Sequence, residues 1–217
     1  QQYPDLFRVL RVLVDRPQSA VRFLVLGSSS PHLLRQSSET LAGRIHYHQL
    51  SGFSLDEVGV SHHARLWLRG GFPRSYLADS DPESHEWRRC FIQTFLERDL
   101  PQLGITIRAT TIRRFWTMIA HYHGQVWNAA EFARSLGTSE NTARRYLDIL
   151  AGAYMVRILP PWFENISKRQ VKAPKIYIRD SGILHTLLQL STIADVQGHP
   201  KLGASWEGFA LEQLLNL

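Results

Sequence analysis

Apolar positions along this chain follow two periods. Residues 5–14, DLFRVLRVLV, put Leu6, Val9, Leu10, Leu13 and Val14 on one helical stripe. Phe23-Leu24-Val25-Leu26 is instead an unbroken apolar run closed by Gly27, the pattern of a strand buried on both faces. Three serines and Pro31 follow, and then Leu33, Leu34, Ser37 and Leu41 recur at helical spacing. Ser30 suits the N-cap, and Pro31 suits the first helical position, where no backbone N–H is needed. The order is therefore helix, strand, polar tip, helix, finishing on Gly43-Arg44, as in a parallel α/β sheet. Ile45 to Leu50 alternates and predicts a further strand; Ser54 and Glu57 then form a capping box on a short helix.

From Ala64 to about Tyr122 the pattern is helical, broken at Gly70-Gly71-Phe72-Pro73 and at Leu100-Pro101. Glu83 to Leu100 presents Trp87, Phe91, Phe95 and Leu96 as its core face. Asn128 to Glu131 is a capping box opening a helix with Ala130, Phe132, Ala133 and Leu136; Gly137-Thr138-Ser139 makes a tight turn. Ser139 caps a second helix with Ala143, Tyr146, Leu147 and Leu150 inward and Asn141, Thr142, Arg144, Arg145 and Asp148 outward. Two helices across a short glycine turn form a helix-turn-helix. Strands at Tyr154–Leu159 and Lys175–Ile178 flank a basic loop, which completes a winged-helix pattern. As a DNA-binding module it would use Asn141, Thr142, Arg144 and Arg145 in the major groove, with Lys168, Arg169 and Lys172 on phosphates. Asp148 on the same face argues the other way, and a winged helix can equally serve as a protein-docking platform.

Composition adds three constraints. The charge of +6 and a pI near 9.8 favour an anionic partner, and only four of the 25 basic residues are lysines. Arginine makes bidentate phosphate contacts that lysine cannot. A single cysteine, Cys90, excludes an internal disulfide and fits a reducing cytoplasm. No apolar stretch approaches membrane-spanning length, so no membrane partner is expected.

Ser28 to Ser30 sit at the carboxyl end of the expected strand, where α/β sheets bind ligands, with helix-start N–H groups beside them. A phosphate is the natural ligand; a capped helix with no ligand is the competing reading. GSSSPHLL at 27–34, LAGR at 41–44, GGFP at 70–73, the helix-turn-helix segment, KIYIRDSGIL at 175–184 and WEGFALEQL at 206–214 together resemble bacterial and archaeal P-loop ATPases with an AAA-type core and a C-terminal DUF4143 domain. The resemblance implies an α/β remnant of the ATPase core at 1–58, a mainly helical lid at 59–122, a winged helix at 123–178 and the start of an α+β, restriction-endonuclease-like domain at 179–217. It implies that the chain begins just past a Walker B strand and is a distal fragment. The intact parent would use ATP and Mg²⁺, with Ser28 as nucleotide sensor and Arg44 steadying transition-state charge. The chain carries no GxxxxGK[ST], so alone it is expected to hold no cofactor and hydrolyse no ATP. The missing ATPase half is an implied partner, and oligomerisation is left open. Glu207 matches the acidic position of a nuclease-like helix, but one carboxylate cannot assemble a Mg²⁺ site, so no nuclease activity is expected.

The remaining constellations read as structural. His46/His48, His62/His63 and His121/His123 lack the converging third and fourth ligands that zinc needs. Cys90 lies beside Arg88 and Arg89 without a His or Asn partner. The serine cluster lacks the G-x-S-x-G of a nucleophile elbow. Trp67, Trp87, Trp116, Trp127, Trp162 and Trp206 are scattered as core fillers rather than aligned as a base-stacking row.

Overall fold

The computed structural model describes residues 6–16, 21–25, 41–161 and 173–216, in two compact units, 1–50 and 51–217. In the first unit, helix α1 (Leu6–Val14) buries Phe7 and Leu10 against Leu41, with Ile45 packed alongside. Its buried positions differ from the expected stripe: Leu6 and Val9 face solvent. Residues 21–25 form no strand and are exposed, Leu24 at 83%, and Ile45 to Leu50 form none either. A doubly buried strand needs hydrogen-bonded neighbours on both edges, and the described residues of this unit supply none. Leu26 and the serine tip lie outside the described residues.

The second unit is mostly helical. After α2 (Leu55–Val58) come α3 (His63–Arg69), α4 (Pro73–Tyr76) and α5 (Asp81–Thr94). The Glu57 carboxylate accepts from the Ser54 N–H at 2.9 Å, which is half of the expected capping box. α5 runs on through a π-helical turn, Phe95–Asp99, into Leu100–Gln102, so the expected break at Leu100-Pro101 is absorbed within the helix. Its buried face also differs from the expected one. Ser84, Arg88, Ile92, Phe95 and Leu96 are buried, while Trp87 and Phe91 are half-buried and stack with Phe72.

Then follow α6 (Ala109–His121), β1 (Gln125–Val126), α7 (Ala129–Leu136), α8 (Glu140–Gly152), β2 (Val156–Leu159) and β3 (Lys175–Ile178). The sheet is antiparallel with order β1-β3-β2; Gln125 pairs with Ile176, and Val156 with Ile178. The local chemistry here matches the expectation. The Asn128 side chain accepts from the Glu131 N–H, Ser139 accepts from the Thr142 N–H, and Gly137 takes φ +66° in the turn between. An L side chain rarely adopts that left-handed conformation. Phe115, Phe132 and Leu150 close the core beneath the helix pair.

α9 (Ser181–Leu187) is buried at every residue and packs on α3, α5, α6 and β3. α10 (Ile193–Gly198) and α11 (Leu202–Leu215) complete the chain. The segment 179–217 is thus helical across its described residues and shares its core with the residues before it.

Candidate functional site

The motifs flagged in the sequence converge around α9. Asp180 caps it, accepting from the Ile183 N–H, and its other carboxylate oxygen accepts from the Gly71 N–H, both at 2.8 Å. Gly70 sits at φ +76°, where any Cβ would fall on the Asp180 carboxylate; a Cβ on Gly182 would fall on the Arg69 carbonyl. The glycines of GGFP and RDSG are therefore there so that two backbones can touch. Burial pushes the Asp180 carboxyl up, against hydrogen bonds from backbone N–H groups and the nearby Arg88 charge.

Arg88 is 1% exposed. Its Nε donates to Thr186 Oγ1 at 2.8 Å, and Nη1 reaches the Arg69 carbonyl, Ser75 Oγ and Ser84 Oγ at 2.7–3.1 Å. Burial lowers its pKa to about 10, so it remains cationic at neutral pH. A buried cation surrounded by hydroxyls and carbonyls is stable only while those acceptors stay in place. Arg69, also buried, pairs with Asp81 at 2.6 Å.

Two further clusters clamp α11. Glu207 accepts from Tyr177 OH at 2.7 Å and from Lys175 Nζ at 3.0 Å, and the Tyr177 hydrogen bond holds its carboxyl below the usual range. Glu207, the expected nuclease-like residue, thus ties α11 to β3; among the described residues no group of three His, Cys, Asp or Glu could hold a metal. Glu212, buried, pairs with both Arg157 and Arg179.

A hydroxyl–imidazole pair that the sequence did not reveal lies inside the unit. Trp67 Nε1 donates to Ser205 Oγ at 3.0 Å, and Ser205 lies 2.7 Å from His185 Nε2. His185 Nδ1 donates to the Leu68 carbonyl at 3.2 Å, which makes Nε2 the acceptor from Ser205. The pair has the geometry of an activated nucleophile. It is nevertheless enclosed, with His185 at 0% and Ser205 at 2% exposure, so no substrate reaches it. Burial lowers the His185 pKa to about 4 and does the same to His123, whose Nδ1 accepts from the Ile178 N–H.

The expected nucleotide and DNA residues are placed unevenly. Ser28, Lys168, Arg169 and Lys172 lie outside the described residues. Arg44 pairs with Asp15 at 2.6 Å and donates to the Ala42 carbonyl, so its guanidinium is engaged within its own unit. ATP and Mg²⁺ therefore find no fitted site among the described residues. Asn141, Arg144 and Arg145 are exposed along α8 as expected. Thr142 is not available in the same way: it is half-buried, and its N–H and hydroxyl both serve the Ser139 cap.

The fold and these clusters define a helical domain with a small antiparallel sheet, held by buried polar contacts, next to a smaller unit. A family profile described as Domain of unknown function (DUF8612) matches residues 61–194, and the chain belongs to that family. This is the region for which the resemblance had implied DUF4143. A second profile, described as AAA domain, matches residues 1–59 and relates that segment to AAA-type ATPases. The chain is 58% identical, over all 217 residues, to "Uncharacterized protein Rv2008c" of Mycobacterium tuberculosis and to "Uncharacterized protein Mb2031c" of Mycobacterium bovis. It spans about half of each, 49% of their length. No solved structure matches it. Among the described residues no helix is long and apolar enough to cross a membrane.

Proposed function

We propose that this chain is the distal part of an ATP-binding AAA-type ATPase, inactive without the Walker motifs that its sequence lacks. The AAA-domain match over residues 1–59 carries this reading. The exposed apolar side chains of the same segment support it: Val9, Val12, Phe23 and Leu24 offer a surface suited to further sheet. In that arrangement Ser28 senses nucleotide, and Arg44 exchanges Asp15 for the growing negative charge of the transferred phosphoryl group.

The test is phosphate release from Mg²⁺-ATP. The whole mycobacterial relative turns over ATP, the 217-residue chain alone does not, and Arg44→Ala in the complete protein containing this chain lowers turnover with little loss of ATP binding. A whole relative that neither binds nor hydrolyses ATP sinks the reading.

A second reading concerns residues 109–178. The order helix, strand, helix, turn, helix, strand, strand, with sheet order β1-β3-β2, supports a winged helix.

A further inference from the structure

The net charge of the chain is not spread evenly. Residues 105–160 hold seven arginines against three carboxylates. Residues 51–104 hold six arginines against eight carboxylates, and 173–217 hold three basic against four acidic residues. The positive excess of the second unit's described residues thus sits on the helix-turn-helix.

On that segment the cations gather near the start of α8. Asn141, Arg144 and Arg145 project from its exposed face. Arg114 donates to the Ser135 carbonyl at 2.7 Å, which brings a guanidinium to the turn before α8, and Arg134 is exposed on the last turn of α7. Beside α8 lies an open groove of about 320 Å³, lined by Asn128, Ala129, Ala130, Arg144 and Pro174 and by Glu140. Glu140 holds Arg144 in an i,i+4 pair at 3.4 Å in which both side chains are more than half exposed, and such a pair is readily exchanged for a phosphate.

The geometry points to duplex DNA as the partner of this face, with Asn141 and Arg145 at base edges and Arg144 on a backbone phosphate beside the groove. The inference rests on the winged-helix reading and is independent of the ATPase reading. α8, at 13 residues, is about 20 Å long, enough to lie along a major groove. A protein partner fits this face less well. Protein interfaces centre on exposed aromatic and large apolar anchors, and among the exposed large hydrophobic residues none falls within α7 or α8. The outer face of α8 is Glu140, Asn141, Arg144, Arg145 and Asp148, all polar.

The experiment is fluorescence anisotropy of a labelled 20-base-pair duplex with the full 217-residue chain, without nucleotide, between 50 and 200 mM KCl. Binding is expected to weaken steeply with salt. Arg144→Ala with Arg145→Ala should weaken it at least tenfold at 100 mM KCl and lower the log–log salt slope by about 2. Glu140→Gln, which frees Arg144, should tighten it roughly threefold. The control pair, Arg74→Ala with Arg89→Ala, removes the same charge from exposed positions elsewhere and should change it less than twofold. Circular dichroism of each variant separates loss of the fold from loss of the face. The proposal is overturned by folded protein that leaves duplex unbound at 50 mM KCl, which is the result a purely protein-docking face would give. It is equally overturned if the control pair costs as much as the α8 pair.

Discussion

In residues 1–50 the described side chains held out of water are Phe7, Leu10 and Leu41, whereas in 51–217 a continuous core runs from Leu66 to Phe209. The polar contacts differ as sharply. In the first unit Asp15 and Arg44 meet in solvent, with side chains 42% and 37% exposed. In the second, Arg88, His123, His185 and Glu212 are buried and held by named partners. An exposed ion pair contributes little because water and salt compete for both charges; a buried polar group is costly to leave without its partner. The second unit therefore depends on a few close approaches, and the first gains little from its own contacts.

The largest break in this comparison is Gly182→Ala. The new Cβ would overlap the Arg69 carbonyl, which is fixed backbone and also accepts hydrogen bonds from Arg88 and Ser75. A loss of about 4 kcal/mol or more is expected, enough to unfold the second unit near physiological temperature, as read by thermal circular dichroism. A variant that melts within 2 or 3 degrees of the parent, a shift worth about 1 kcal/mol, would show that α3 and α9 can separate freely.

Acid should come next. His123 and His185 fall from an ordinary 6.5 to about 4 because burial disfavours their charged forms. Between pH 6.5 and about 4 the unfolded chain binds protons that the folded chain does not. Stability therefore rises with pH through that window and is lost as the pH falls through it, at about 1.4 kcal/mol per unit for each histidine. Denaturant melts at pH 7 and pH 5 test this. His185→Gln, which can keep hydrogen bonds to Ser205 and Leu68, should halve the slope whatever its effect at neutral pH.

Glu212→Ala follows. It leaves Arg157 and Arg179 facing each other without their shared carboxylate. Breaking buried pairs costs about 3–5 kcal/mol; with Arg157 24% exposed, about 2 kcal/mol is expected here. Equal urea midpoints for variant and parent would place this cluster with the exposed pairs.

How much of this was legible depends on how local its cause is. The Asn128 and Ser139 caps, the Gly137 turn and the inward row Ala143, Leu147 and Leu150 are decided within four residues, and the sequence shows them. The buried role of Arg88 is not local. On α5 it looks like any outward arginine, and the hydroxyls and carbonyl that accept from it come from three other positions besides Ser84. The one available hint was glycine: pairs such as Gly70-Gly71 and a lone Gly182 in a helix mark places where backbone approaches closely. The hint does not say what approaches, because Gly71 and Asp180 are 109 residues apart. Residues 23–25 fail as a strand for a related reason. Their apolar run describes a side chain's preference, while a strand exists only with neighbours to pair with. On α8 the pattern separated inside from outside correctly but counted Thr142 as outward, since its place in the Ser139 cap turns on hydroxyl geometry rather than hydropathy.

The smallest effect, and the one that sharpens the contrast most, is Arg44→Ala. Removing the guanidinium frees Asp15 into water, which solvates it at once, and releases the Ala42 carbonyl, also exposed. No buried charge is left behind, so the melting of the second unit should be unchanged. Any consequence should be confined to the turn at 41–44 and to the end of α1, which that side chain joins. Hydrogen exchange resolved by peptide distinguishes the outcomes. Faster exchange limited to residues 6–16 and 41–45 fits a local, solvent-screened contact, whereas lost protection in α3 or α9 would mean that the two units share their stability and that the contrast between them is false.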